Sequence, residues 1–139
     1  MRRKSKVFVV AAAASLSLAV AGAHHSFVAE FDGNKPITIR GPVTKVEWRN
    51  PHIWVYLNAR GADGKLTPWQ CEGGAPNALT RQGWTRNTFT LGEDITVEGW
   101  QAKDGTNTCN AKTWKLGNGQ TVLAGTSAGA EAVSGGGVK

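Results

Sequence analysis

What this chain lacks narrows its chemistry first. It has no Cys-x-x-Cys-His for haem attachment, no His-Glu-x-x-His, no phosphate-binding glycine loop, and no nucleophile elbow joining a strand to a helix. Each would carry a recognisable reaction, and without them the sequence favours binding over turnover. Tyrosine and methionine each occur once, cysteine twice and histidine three times. No apolar run reaches the ~20 residues of a bilayer-spanning helix.

Basic charge is scarcer than the total suggests. The formal net charge is +6, but Arg2, Arg3, Lys4 and Lys6 precede an uncharged apolar run, Val7 to Ala21, followed by Ala21-Gly22-Ala23. A positive n-region, an apolar h-region and small residues at a cleavage point are the three parts of a secretory signal peptide. Residues 1–23 are therefore expected to be removed on export, placing the protein in the periplasm or outside the cell with no stable membrane insertion. Twelve basic residues then remain against ten acids. No basic block survives, so the footprint of a nucleic-acid binder is missing.

The exported part is rich in glycine at turn-like positions and carries Cys71 and Cys109. In an oxidising compartment a Cys71–Cys109 disulfide is the first expectation. The alternative is two separate thiols buried as small hydrophobes.

Two strands meet at Asn50-Pro51, since proline has no N–H for a ladder and fixes its own φ. The first runs from about Ile37 to Trp48. Its apolar parity shifts near Gly41-Pro42, which predicts a bulge or kink. In the second, Ile53, Val55 and Leu57 share the core-facing parity, and His52, Trp54, Tyr56 and Asn58 share the other. Asp63-Gly64 signals a hairpin into a third strand ending at Glu72. Pro76 opens a short helix that Gly83 ends. A fourth strand (95–100), a fifth (108–116) and a short last strand (121–123) follow. Leu79 and Trp84 are expected to cap the core. The element order, with a helix between strands three and four, predicts an all-β fold: a small OB-fold-like five-stranded barrel. An immunoglobulin-like sandwich, needing about seven strands, is the competing architecture. The division expected is a signal peptide (1–23), an extended N-terminal arm (24–36), the barrel (37–124) and a disordered tail (125–139) too small and polar to offset its ordering entropy.

Several of these stretches occur together in one family. Ala23-His-His-Ser-Phe27, Val43-Thr-Lys-Val-Glu-Trp-Arg-Asn-Pro-His52, Pro76-Asn-Ala-Leu79, Gly83-Trp-Thr-Arg86 and Asp94-Ile-Thr-Val-Glu-Gly99 resemble a family of exported bacterial proteins of unknown function (domain of unknown function 6152). The resemblance implies a single exported domain and no established activity.

The sharpest chemical feature is His24-His25. Cleavage after Ala23 would make His24 the first residue and offer its α-amine and imidazole as a chelate, with His25 or His52 nearby. Cleavage one residue earlier would place His25 third, a pattern that also binds square-planar Cu(II). Copper is therefore the one cofactor the sequence suggests. The plainer reading leaves both histidines in an arm without function. His52 itself is expected to hydrogen-bond the backbone or Glu47, with a ligand role as the alternative. Trp54 and Tyr56, with His52, make an aromatic face suited to a protein partner or small ligand. Glu47, Glu72 and Glu98 read as solvated face residues. The leading function is thus an exported binding or accessory domain; a copper-binding protein comes second and an uncharacterised small enzyme third.

Overall fold

The computed structural model describes residues 27–126. The expected signal peptide, His24, His25 and residues 127–139 lie outside the described residues. A one-turn helix, α1 (Phe27–Glu30), leads directly into β1 (Phe31–Glu47), followed by β2 (Trp54–Arg60), β3 (Leu66–Glu72), α2 (Pro76–Arg81), β4 (Asp94–Ala102), β5 (Thr108–Lys115) and β6 (Thr121–Leu123). The arm thus departs from expectation. Its described part is a helical turn and the start of a 17-residue strand, because Phe31 already pairs with Ala102 of β4 and the pairing runs on from Pro36 after a register shift.

All six strands belong to one sheet in the order β3-β2-β1-β4-β5-β6. The protein is all-β with two short helices among the described residues. Every neighbouring pair in that order is antiparallel. One further pairing, parallel, joins Gln70, Cys71 and Glu72 of β3 to Thr108, Cys109 and Asn110 of β5. It closes a ring of five strands, leaving β6 on the flank of β5.

β1 pairs with β4 over its first part and with β2 over its last. The register shifts between Val43 and Lys45, close to the expected kink. Gly41 lies where β1 passes β2. A Cβ there would fall 1.9 Å from the Asn58 carbonyl oxygen, so only glycine fits.

The core follows the alternation of β2. Ile53, Val55 and Leu57 are buried against Val43, Ile95, Val97 and Ala111. Each such aliphatic side chain contributes roughly 1.5–3 kcal/mol on burial. At one end Trp84, Phe89 and Trp114 pack edge to face in series, with ring centroids 5.5 and 5.2 Å apart. Leu79 of α2 is fully buried beside them, as expected of a cap on the core. α2 begins with Pro76 in its first turn, where a missing N–H costs nothing. Gly83 ends it at φ +91°, a conformation glycine adopts freely.

Gly125 and Thr126, placed by the sequence in a disordered tail, are packed. The Thr126 hydroxyl donates to the Ala111 carbonyl at 2.9 Å. Ala124 donates to Lys112 and accepts from Gly74. The small residues Gly73, Gly74 and Gly125 permit this backbone-on-backbone contact, which the composition of the tail does not reveal.

Cys71 and Cys109 are bonded, with Cα atoms 4.5 Å apart and a sequence separation of 38. Closing a loop of that length removes unfolded-state entropy worth about 3–4 kcal/mol. Reduction, or a Cys71→Ala/Cys109→Ala double variant, is expected to lower unfolding stability by that amount. Urea denaturation with and without reductant checks it, and an unchanged midpoint would refute it.

Candidate functional site

Directly opposed residues on adjacent strands share a face. Trp54 lies opposite Glu72, Glu72 opposite Asn110, and Asn110 opposite Trp100. These four form one row across β2, β3, β5 and β4, on the face away from Val55 and Cys71. A second row places Tyr56 opposite Gln70 and Gln70 opposite Thr108, with Gln70 Nε2 donating to Thr108 Oγ1 at 3.0 Å.

The middle of the first row is polar and buried. Glu72 is 7% exposed and Asn110 is 3% exposed. Asn110 Nδ2 donates to Glu72 Oε2 at 3.2 Å, and the other carboxylate oxygen, Oε1, meets His52 Nδ1. His52 therefore pairs with Glu72, not with Glu47 or the backbone. The reason is register: the antiparallel β2–β3 pairing sets Glu72 opposite Trp54, two residues after His52. Glu72 is consequently an anchored, buried carboxylate and not the solvated face residue expected, whereas Glu98 is exposed and accepts from Thr113 Oγ1. In the neutral imidazole a proton on Nδ1 leaves Nε2 as an acceptor. Asn110 Oδ1 is buried without a hydrogen-bond partner.

The two aromatic candidates differ in how free they are. The Tyr56 hydroxyl donates to Glu47 Oε2 at 3.2 Å, and Lys45 Nζ sits 4.9 Å from its ring centroid. Burial, then the hydrogen bond to Glu47, raises the Tyr56 phenol above its ordinary pKa. Tyr56 is thus held in a surface cluster in which Glu47 also meets Lys45 Nζ at 2.5 Å and Arg49 Nη2 at 3.0 Å. The hydrogen bond from Lys45 is the main cause that holds the Glu47 carboxyl below its usual range.

Trp54, half-buried, lines a groove of about 360 Å³. Phe31 and Ala102 form its apolar wall, and Lys103, Asp104 and Thr108 its polar edge. The arm borders this groove without filling it. Phe27 stacks on Phe31 and meets Trp100 edge to face at 5.2 Å, and Lys103 ties the arm down through bonds to the Val28 and Glu30 carbonyls. Asp104 is occupied by its own turn. It accepts from the Thr106 backbone and hydroxyl at 2.9 and 2.7 Å, and those bonds, the backbone one foremost, lower its pKa.

The structure therefore brings Trp54 and His52 to one face and commits Tyr56 to a local cluster; His24 and His25 fall outside the described residues. Sequence reasoning missed Glu72 and Asn110 as a pair. The signal was present, since each follows a cysteine. Pairing Cys71 with Cys109 on parallel strands sets the next residues opposite one another. The letters Gly125-Thr126-Ser127-Ala128-Gly129 match the Gly-x-Ser-x-Gly pattern, but the elbow requires a strand–turn–helix context. Ser127 lies outside the described residues. Among the described residues no three His, Cys, Asp or Glu side chains gather as a metal site, and no helix is long and apolar enough to cross a membrane.

His52→Ala leaves one oxygen of a buried carboxylate unpaired and is expected to cost about 1–3 kcal/mol. Arg49→Ala, on the surface, should stay within about 0.5 kcal/mol. Parallel urea titrations compare them, and equal losses would contradict a supporting role for the His52–Glu72 contact. In an NMR pH titration Glu47 is expected to titrate below the ordinary carboxyl value, and Lys45→Met to move it upward. A lowered folded pKa contributes stability above the unfolded pKa, and that contribution is lost as pH falls through the folded one.

No curated protein matches the sequence. A family model described as "Family of unknown function (DUF6152)" matches residues 11–112, a span that holds the Trp54–Glu72–Asn110–Trp100 row and both cysteines. The match covers most of the chain, which belongs to this family of unknown function, DUF6152.

Proposed function

We propose that this is an exported binding or accessory domain that engages a protein partner or small ligand through the Trp54 face, without turnover. The carrying observation is the groove of about 360 Å³ beside Trp54, where an aromatic ring, an apolar wall and a polar edge converge. Binding sites combine apolar lining with a few fixed polar groups in this way. A neutral sugar-like or peptide ligand suits it better than nucleic acid, since the exported chain carries little net charge. Lys103 and Asp104 sit together at the groove edge.

The fold reading that goes with this proposal is an OB-like barrel. Its support is the element order, the placement of α2 between β3 and β4, and the ring closed by β3 and β5. Barrels of this type take ligands across strands two and three, the strands that carry Trp54 and Glu72. Export is supported by the n-region, the apolar run and the small residues ahead of His24. The Cys71–Cys109 disulfide is compatible with an oxidising compartment.

A photo-crosslinking residue at position 54 tests the binding reading in intact cells. A discrete adduct is expected from position 54 and not from position 91, where Leu91 is exposed elsewhere on the surface. Adduct yield should fall at least several-fold in a Phe31→Ala/Thr108→Ala background. No adduct, or the same pattern from both positions, would overturn the proposal.

A further inference from the structure

A second pocket, of about 290 Å³, lies at the other end of β5 from the Trp54 groove. Thr108, at the start of β5, borders the groove, whereas Leu116, just past its end, lines the pocket. The walls are the chain leaving α2 and the β5–β6 hairpin. Among the described residues no charged side chain lines it. The lining is rich in carboxamides instead: Gln82, Asn87, Asn118 and Gln120. Trp84 and Leu116 also line it and are only 5% and 7% exposed, so they form its apolar floor. The Trp84 ring is fixed edge to face against Phe89, with centroids 5.5 Å apart.

Both walls are held by their own turns, and those turns leave most of the amides free. The Thr85 N–H donates to Thr88 Oγ1 at 2.9 Å, and the Asn87 N–H donates to Thr85 Oγ1 at 3.1 Å. In the hairpin the Leu116 N–H donates to the Gln120 carbonyl at 2.8 Å, and the Gln120 N–H donates to Asn118 Oδ1 at 2.9 Å. The side-chain amides of Gln82, Asn87 and Gln120 make no hydrogen bond among the described residues. Each offers two N–H donors and a carbonyl acceptor.

Three such groups, on three separate turns around an apolar floor, suit a ligand with donors and acceptors spread round its rim. A pyranose ring has that form. Its hydroxyls each donate and accept, and its C–H face suits an apolar floor. A charged ligand finds no counter-charge in the lining, and a peptide presents its amides along a line. The volume lies at the lower end for small-molecule sites, about 300–1,000 Å³, which fits one unit of a longer chain. We propose that this pocket binds one unit of a neutral oligosaccharide, with Gln82, Asn87 and Gln120 on its hydroxyls. The pocket shares no residue with the Trp54 groove, so either proposal can fail alone.

The isotope-labelled protein is titrated in turn with maltohexaose, cellohexaose and N-acetylchitohexaose and followed by NMR. At least one is expected to shift the side-chain amide signals of Gln82, Asn87 and Gln120 and the Trp84 indole signal, with a Kd of about 1 mM or tighter. Gln82→Ala/Gln120→Ala should weaken binding at least about fivefold, the loss of two hydrogen bonds. Both side chains are exposed and unbonded among the described residues, and an unchanged urea midpoint checks that the fold is kept. Asn87→Asp keeps the shape, removes the donors and adds a charge. It should weaken binding comparably, and it tests the site even if the double variant folds poorly. No shift with any of the three sugars overturns the proposal. So does affinity unchanged in either variant, an equal response to the neutral peptide acetyl-trialanine amide, or movement of the Trp54 indole signal in place of that of Trp84.

Discussion

The parallel contact between β3 and β5 is the constraint on which the rest depends. Three residues from each strand make it, and the Cys71–Cys109 bond locks its centre. Without it the six strands would form an open sheet with β3 as a free edge. With it five of them form a ring with a filled interior, and β6 lies on its flank. The same contact sets Glu72 opposite Asn110 and so creates the buried polar pair that holds His52. One short pairing therefore carries both closure and the arrangement of the candidate site.

Burying a carboxylate is costly unless its oxygens are satisfied. Glu72 meets that condition with one neutral amide and one imidazole, and the price is that neither partner can be exchanged freely. The neighbouring cluster of Tyr56, Glu47, Lys45 and Arg49 follows the opposite logic. It lies at the surface, shares its charges among several groups and tolerates solvent. The two sets sit on adjacent rows of one face. Rigid polar burial lies on one row and solvated charge on the next, and Trp54 stands between them with open space beside it.

Much of the architecture was legible in the chain. Alternation across Ile53, Val55 and Leu57 named the core face of β2, and Asn50-Pro51 named the corner. Pro76 and Gly83 bracketed the short helix, and of the two states expected for the cysteines, bridged or separately buried, the bridge is the one the fold holds. The site was less legible. Alternation places Glu72 on the outer face but cannot say that the face is covered there, because its partners His52 and Asn110 are distant in sequence. The assignment of His52 failed for the same reason. Glu47 is closer in sequence, but Glu72 is the residue that register delivers. Gly125 and Thr126 were misjudged because composition measures how much surface a segment can bury by itself, and not the groove that Gly73 and Gly74 leave open for it.

The division of labour along β5 has a consequence for how the molecule is completed. Its first half takes β3 as neighbour, and its second half takes β6 and the residues after it. The last described segment, Thr121 to Thr126, is thus the side wall for the stretch of β5 that carries the fully buried Trp114. Until that segment is in place, Lys112 to Leu116 present unpaired backbone groups beside a large apolar ring, the combination that invites edge-to-edge association. Thr121 to Thr126 therefore serve as a seal: a chain ending before Thr121 would lose only Ala124 and Val122 from the core and its edge, and with them its protection against its own copies.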